Sequence, residues 1–291
     1  MKTYVECIPC IINQGIKIGR RLDIKDEKIE EMVRELMDHL KGENFNKTPA
    51  ELAKYSYKII NKYMMTNDPY KEIKKYYNES MLKLVPEIKN IINNSGNRFE
   101  IAMKIAVLGN IIDFGSKHKF SENDIIKKVR DIGNSYFAID DSKKLYDKLR
   151  VSKTLLYIGD NCGEIVFDKI FIEYIKFSFP NLKIYYGVRG EPVINDVTIV
   201  DAKDVNMEEV AEVIDNGDNS PGTVLNNISG KFKDLLFNSD LVISKGQGNY
   251  ETLNEINRDD VFLLFMAKCD VVSKELGVKN MSFICKKIDN I

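Results

Sequence analysis

The segment Leu155-Leu156-Tyr157-Ile158-Gly159-Asp160-Asn161-Cys162-Gly163-Glu164 constrains the fold more than any other part of the chain. Its apolar start reads as a short buried strand, Gly159 to Gly163 as a tight turn, and Glu164 as the opening of a helix. Such a unit belongs to a parallel sheet, whose ligands bind just outside the carboxyl ends of the strands. Here that turn carries Asp160 and Asn161, two oxygen donors side by side. A dinucleotide site places glycines at this point, because a carboxylate repels a pyrophosphate. Adjacent acid and amide oxygens instead suit a hard cation such as Mg²⁺ or Mn²⁺ beside a phosphate. An ordinary turn with an Asx helix cap accounts for the same residues.

The surrounding pattern supports the sheet. Short β-branched runs at 154–158, 183–188, 241–244 and 261–266 alternate with helical stretches at 164–177, 207–214, 250–256 and 271–276. That alternation predicts a mostly parallel sheet covered on both faces. The first half has a different period. Residues 26–40 place Ile29, Val33, Leu36, Met37 and Leu40 on one helical face. Thr48-Pro49 opens a second helix, with proline in the first turn, and Asp68-Pro69 opens a third, which Pro86 ends or kinks. Two more helices are expected at 98–112 and, capped by Ser121, to 132. No strand is expected before residue 150. The expected class is therefore α/β: a Rossmann-like three-layer α/β/α part over residues 149–291, preceded by an all-helical part over 1–148.

Composition excludes some partners. The 291 residues carry a net charge of −1, with 30% charged residues of both signs interleaved. Neither nucleic acid nor a membrane surface is favoured by that balance. The longest apolar run, 261–267, falls far short of the roughly 20 residues a bilayer needs. The amino terminus lacks the apolar core of a signal peptide, so a cytoplasmic location is expected. Five scattered cysteines form no secreted disulfide framework. No pattern specifies an oligomer.

A parallel sheet gathers its strand ends along one edge, so those ends are where chemistry is expected. The second run leads to Arg189 and then Asn195-Asp196, another amide–carboxylate pair. If Asp196 faces Asp160, the two can share a divalent ion; left bare, they repel. An Asx turn accounts for Asn195-Asp196 equally. The third leads to Lys245-Gly246-Gln247-Gly248-Asn249, where glycines let backbone N–H groups turn toward an anion and Lys245 adds charge. This is not a Walker loop. The fourth ends at Lys268, a cation at a helix start, where a cation is disfavoured. Asn110 and Asp113 close an apolar helix in the first half. Cys7-Ile8-Pro9-Cys10 has redox or metal spacing, but too little chain precedes it for a thioredoxin-type strand.

Taken in order, Cys7-x-x-Cys10, Gly109-Asn110-x-x-Asp113, Gly159-Asp160-Asn161-x-Gly163-Glu164 with Asp168, Asn195-Asp196-Val197-Thr198, Lys245-Gly246-Gln247-Gly248-Asn249-Tyr250 and Lys268-Cys269 resemble the metal-dependent damage-control phosphatases. That family was first catalogued as domain-of-unknown-function family 89, and the chain is similar to its short prokaryotic branch over nearly its whole length. The resemblance implies hydrolysis of small phosphorylated metabolites such as sugar phosphates or damaged intermediates. It implies a divalent cation (Mn, Mg, Co or Ni) held by Asp160, Asn161 and Asp196. Lys245 and Lys268 are then expected near the phosphate, with Asp160 and Asp113 as further catalytic groups. Asn110, Arg189, Gly246, Gly248 and Asn249 are expected to bind substrate. The alternative is a non-enzymatic metal- or nucleotide-binding protein that uses Cys7 and Cys10.

Overall fold

In the computed structural model, residues 1–111 and 122–288 are described. The chain opens with α1 (Cys7–Arg21), α2 (Asp26–Lys41), α3 (Pro49–Met64), α4 (Lys71–Asn93), α5 (Arg98–Leu108) and α6 (Glu122–Arg130). Local chemistry sets several of these boundaries. At α3, Thr48 Oγ1 accepts from the Glu51 N–H at 3.3 Å and Glu51 Oε2 accepts from the Thr48 N–H at 2.7 Å, a reciprocal cap with Pro49 in the first turn. Helix α4 continues past Pro86 to Asn93. Leu84, Ile88 and Ile92 are buried on both sides of the proline. Tertiary packing therefore outweighs a penalty of about 3 kcal/mol, and the break expected at Pro86 does not end the helix.

The remainder alternates strand and helix: β1 (Phe137–Asp140), α7 (Ser142–Leu149), β2 (Thr154–Ile158), α8 (Glu164–Ser178), β3 (Lys183–Val188), α9 (Ile199–Asp204), β4 (Glu212–Asp215), α10 (Gly230–Asn238), β5 (Leu241–Lys245), α11 (Gln247–Leu253), β6 (Val261–Ala267), α12 (Asp270–Leu276) and β7 (Ser282–Lys287). The seven strands form one sheet in the order β1-β7-β6-β5-β2-β3-β4. Neighbours from β6 to β4 pair in parallel, β7 is antiparallel to β6, and β1 is parallel to β7. The chain winds outward from β2 through β3 to β4, then returns to β5 on the other side. The switch point thus falls between β2 and β5.

Strand alternation divides the core into two layers. Leu155 and Tyr157, Leu241 and Ile243, and Phe262 and Leu264 point to one face, where they share a core with α2 to α8. Leu156 and Ile158, Val242, and Leu263 and Phe265 point to the other, against Phe232 and Leu236 of α10, Tyr250 and Leu253 of α11, and Val272 of α12. The expected α/β/α class is what forms.

Three strands depart from the sequence expectation. Strand β1 lies in the stretch expected to be helical, and β7 was not foreseen. Residues 207–214, expected as a helix, are a 3-10 turn at Met207–Glu209 followed by β4. The apolar residues Met207, Val210, Ala211 and Ile214 fall at helical spacing, but pairing with β3 overrides that period. No described helix is long and apolar enough to cross a membrane.

The helical part is tied to the sheet by a buried cation. Lys74 of α4, 2% exposed, reaches Asp68 at 2.9 Å and Asp201 of α9 at 3.0 Å. Asp201 in turn accepts from the Thr198 N–H at 2.9 Å and the Thr198 hydroxyl at 2.7 Å. Removing one partner of a buried pair strands the other charge, at a cost of about 3–5 kcal/mol. Lys74→Ala should therefore lower the unfolding free energy by about that much in urea titrations. Lys62→Ala, which removes the exposed pair to Glu35, should leave the midpoint in place; equal losses would contradict this ranking.

Candidate active site

The carboxyl ends of β2, β3, β4, β5 and β6 converge on one edge. Gly159 follows β2 and donates its N–H to the Gly187 carbonyl at 2.9 Å. The chain then turns, and Asp160 stands at the switch point directly over β5. A Cβ on Gly246 would lie 2.1 Å from the Asp160 carboxyl carbon, so the acid occupies the space that any side chain at 246 would take. Gly246 also has φ +83°, a left-handed conformation that favours glycine.

The loop after β3 folds back to meet this turn. Asn161 and Asp196 form an isolated antiparallel bridge. The Val197 N–H donates to the Asp160 carbonyl, and the Cys162 N–H to the Asn195 carbonyl, each at 2.9 Å. Asn195 Nδ2 donates to Asn161 Oδ1 at 2.7 Å. Ile194, two residues before Asp196, holds φ +46°. For a β-branched residue that is strained backbone, of the kind that persists where surrounding contacts over-determine it. The two amide–carboxylate pairs are thus laced together through backbone as well as side chains.

Arg189, 2% exposed, fixes Asp196 by donating Nε to its Oδ2 at 2.7 Å. Its other nitrogens donate to Thr223 Oγ1 at 3.4 Å and Asn249 Oδ1 at 3.3 Å. Asn249 spans the switch point, donating to the carbonyls of Gly159 at 3.3 Å and Lys245 at 2.7 Å. From the helical part, Asn110 Nδ2 donates to Asp160 Oδ2 at 3.0 Å and Glu164 Oε2 at 2.8 Å. Asn161 Nδ2 donates to the same two carboxylates.

Beneath this layer lies a fully buried ionic group. Lys245 Nζ donates to Glu164 Oε1 at 2.7 Å, Asp168 Oδ1 at 2.5 Å and the Ala106 carbonyl at 2.9 Å. Asp168 also accepts from the hydroxyls of Tyr157 at 2.7 Å and Tyr186 at 3.0 Å. Burial works to lower the Lys245 pKa, but Asp168 and Glu164 outweigh it and raise it, so the ammonium stays charged.

The sequence candidates therefore divide. Asp160, Asn161, Asp196, Arg189, Asn110, Gly246 and Asn249 come together. Lys245 sits underneath, fully engaged by protein groups. Gly248 serves a close approach: a Cβ there would lie 2.3 Å from the Pro221 carbonyl oxygen. Lys268 stands at the end of β6, its backbone N–H held by Gln247 Oε1 at 3.0 Å. Its ammonium has no ion-pair or hydrogen-bond partner among the described residues, and its charge acts to lower the Asp160 pKa. Asp113 lies outside the described residues. Sequence reasoning passed over Glu164 and Asp168 as partners for Lys245. Their i, i+4 spacing inside an otherwise apolar helix was the available signal. It also passed over Thr223, because β4 and the loop after it were hidden by the helical spacing of residues 207–214.

Electrostatically the upper layer is short of positive charge. Burial, then Asp196, then Glu164 push the Asp160 carboxyl up to about 8, against Arg189 and Lys268. Burial raises Asp196 as well, against Arg189. Among the described residues no three carboxylate, thiol or imidazole groups form a metal cage. The donor set here is two carboxylates and one amide. A cleft of about 930 Å³ lies beside the β3 and β4 loops, lined by Lys58, Asn61, Asn67, Glu191 and Asn219 among others.

The switch point of a parallel sheet is where such α/β proteins bind ligands, and an acid–amide pair in place of a glycine-rich turn argues against a dinucleotide there. Comparison with known proteins narrows that class. The family model for the damage-control phosphatase ARMT1-like domain matches residues 3–284. The damage-control phosphatase PH1575 of Pyrococcus horikoshii is 34% identical over 289 residues, covering 99% of this chain and 98% of the relative. A damage-control phosphatase of Archaeoglobus fulgidus is 28% identical, covering 99% and 100%. The crystal structure of a DUF89 family protein from Pyrococcus horikoshii aligns with TM-score 0.91 at 33% identity, covering 99% of this chain and all of that one. The chain belongs to the damage-control phosphatase ARMT1-like family.

Two outcomes follow from this geometry. Gly246→Ala should displace the Asp160 carboxylate and lower phosphatase activity by about 10²-fold, the cost a displacement of about 1 Å commonly carries. Gly230→Ala, whose Cβ meets nothing within 4 Å, should leave the rate alone; parity between them would refute the contact. The second outcome concerns Glu251 of α11, which accepts from Gln247 Nε2 at 3.0 Å. Burial pushes its carboxyl from 4.5 up to about 7. The stability this confers is complete below the unfolded value and is lost as pH rises through the folded one. Glu251→Gln should therefore gain in melting temperature relative to the native chain between pH 5 and pH 8; a constant difference would contradict that.

Proposed function

We propose that the chain is a divalent-metal-dependent phosphomonoesterase acting on small phosphorylated metabolites, with Asp160, Asn161 and Asp196 as the metal-holding residues. The observation that carries this reading is the Asn161–Asp196 bridge. It joins the backbone that carries Asn161 to that of Asp196 at the switch of the sheet, where both acids are raised in pKa by burial and Asp160 further by Asp196. That donor set fits Mg²⁺, Mn²⁺, Co²⁺ or Ni²⁺, which take carboxylate and amide oxygens. When bound, such an ion polarises the phosphoryl oxygens and lowers the pKa of an attacking water.

The chain's own residues supply the rest. Lys268, unpartnered among the described residues, neutralises phosphoryl charge as it spreads in the transition state. Arg189 is a positioning residue: buried, it holds Asp196 in place and ties it to Asn249 and Thr223. Lys245 is a positioning residue: it fixes Glu164, which orients the amides of Asn110 and Asn161. The cleft beside Glu191 and Asn219 receives the remainder of the substrate. Its lining, mostly lysine, asparagine, threonine and glutamate beside Met65 and Pro192, suits a polar, hydroxylated metabolite rather than an apolar one.

The test is hydrolysis of p-nitrophenyl phosphate and of a panel of phosphometabolites, with each of the four cations and with EDTA. Activity should vanish in EDTA and return with added metal. Asp160→Ala should abolish it, and Lys268→Ala should cost about 10²–10³ in kcat, as loss of one charge-stabilising donor commonly does. Metal-independent hydrolysis, or an Asp160→Ala variant at the native rate, would overturn the proposal.

A further inference from the structure

The centre at the switch point is divided between two segments. The turn after β2 carries Asp160 and Asn161, and the loop after β3 carries Asp196. Helix α4 reaches both. Asn78 Oδ1 accepts from the Gly163 N–H at 2.6 Å, two residues beyond Asn161. Lys74 meets Asp201 at 3.0 Å, and Asp201 Oδ2 accepts from the N–H and hydroxyl of Thr198, two residues beyond Asp196. Lys74 and Asn78 stand four positions apart in α4. They therefore share one face of the helix, separated by about 6 Å along its axis. Both are buried, at 2% and 1% exposed.

Asn78 is a costly residue for its position. Its oxygen serves Gly163, but its Nδ2 has no hydrogen-bond partner among the described residues. A buried donor left unmet is destabilising, and asparagine is a poor helix former. Packing alone would favour leucine here. What the asparagine supplies is an acceptor for a backbone donor in the β2 turn. Gly163 needs one, since it is buried, holds φ +78° and opens α8 without a side-chain cap.

Lys74 serves the other half. Its ammonium is balanced by Asp68 at 2.9 Å on one side and holds Asp201 on the other. The β3 loop is thereby fixed from Asp201 through Thr198 back toward Asp196. The Asn161–Asp196 bridge joins the two halves to each other, and α4 gives each a second point of attachment. An ion shared between Asp160 and Asp196 needs a fixed gap between them. Mg²⁺, for example, takes its oxygens at about 2.0–2.1 Å in near-ideal geometry.

We propose that Lys74 and Asn78 are positioning residues that set the gap between the two halves of the metal centre, Asn78 through Gly163 and Lys74 through Asp201 and Thr198. Without the Asn78 oxygen the Gly163 N–H is buried and unpaired, and the turn shifts to reach water. Without the Lys74 ammonium Asp201 is stranded and Thr198 loosens. In either case one half of the donor set moves away from the shared ion. Losses in the shell around metal ligands commonly cost about 10–100-fold in affinity. The effect on metal rests on the phosphatase reading above; the hold of α4 on the two loops does not.

Two readouts on the full chain separate these claims. Mn²⁺ binding, titrated by electron paramagnetic resonance, should weaken about 10–100-fold in Asn78→Leu and in Lys74→Met. Asn78→Asp, which keeps an acceptor for Gly163, should bind within a few-fold of the native chain. Ile88→Ala removes a buried side chain further along the same helix; it should lose stability and keep its affinity. Hydrogen exchange, measured without metal, should quicken at residues 160–166 in Asn78→Leu and at 193–201 in Lys74→Met, beyond any change in Ile88→Ala. Native affinity in Asn78→Leu, or equal weakening in Ile88→Ala, would overturn the positioning role. Unchanged exchange in the two loops would overturn the hold of α4 on them. A native chain that binds no Mn²⁺ would sink the metal reading, while exchange still decides whether α4 fixes the loops.

Discussion

One buried ammonium holds the centre together. Lys245 sits at the end of β5 and is met by Glu164 and Asp168 of α8 and by the Ala106 carbonyl of α5. It therefore joins the sheet, the first helix after β2 and the last long helix of the amino-terminal part at a single atom. Two carboxylates and one lysine out of water are costly unless every lone pair finds a donor. Here the donors are present: Tyr157 and Tyr186 serve Asp168, while Asn110 and Asn161 serve Glu164. Because Asn110 and Asn161 also reach Asp160, the orientation of the upper layer is set by the charge below it.

Topology explains why this happens at one place. At the switch point β2 and β5 leave a crevice that neither crossover covers. Asp160 fills the mouth of that crevice because residue 246 has no side chain to oppose it. The β3 loop then closes over the turn through the Asn161–Asp196 bridge, and the β4 loop supplies Thr223 to Arg189 and Asn249. Lys54 of α3 pairs with Asp218 in that same β4 loop, so the helical part buttresses the site from a second direction.

Much of this was legible in the chain. The runs at β2, β3, β5 and β6 are apolar and β-branched, and the chemistry-bearing residues follow each at the strand end. The parts that were not legible have physical causes. Strand β4 borrows helical spacing from Met207, Val210, Ala211 and Ile214, since a 3-10 turn followed by a strand can bury the same residues. Strand β7 carries lysines at its end and pairs antiparallel with β6, so its short apolar run, Phe283 to Cys285, was too brief to stand out. Lys245 was visible as a cation after a strand, but its partners lie in another crossover. Charge type and position can be read from a sequence; which opposite charge claims a lysine depends on which helix packs over it. Lys268 shows the complement: half-buried at the end of β6, its ammonium meets no such helix-borne acid among the described residues.

The central claim is that Asp160, Asn161 and Asp196 are one metal site split between two strand ends. Crystals soaked in Mn²⁺ and measured at the manganese absorption edge test it most directly. The account predicts an anomalous peak within coordination distance of all three side chains, and its loss in crystals of Asp196→Asn. A peak at Cys7 and Cys10 with none beside Asp160, or an undiminished peak in the variant, would contradict it.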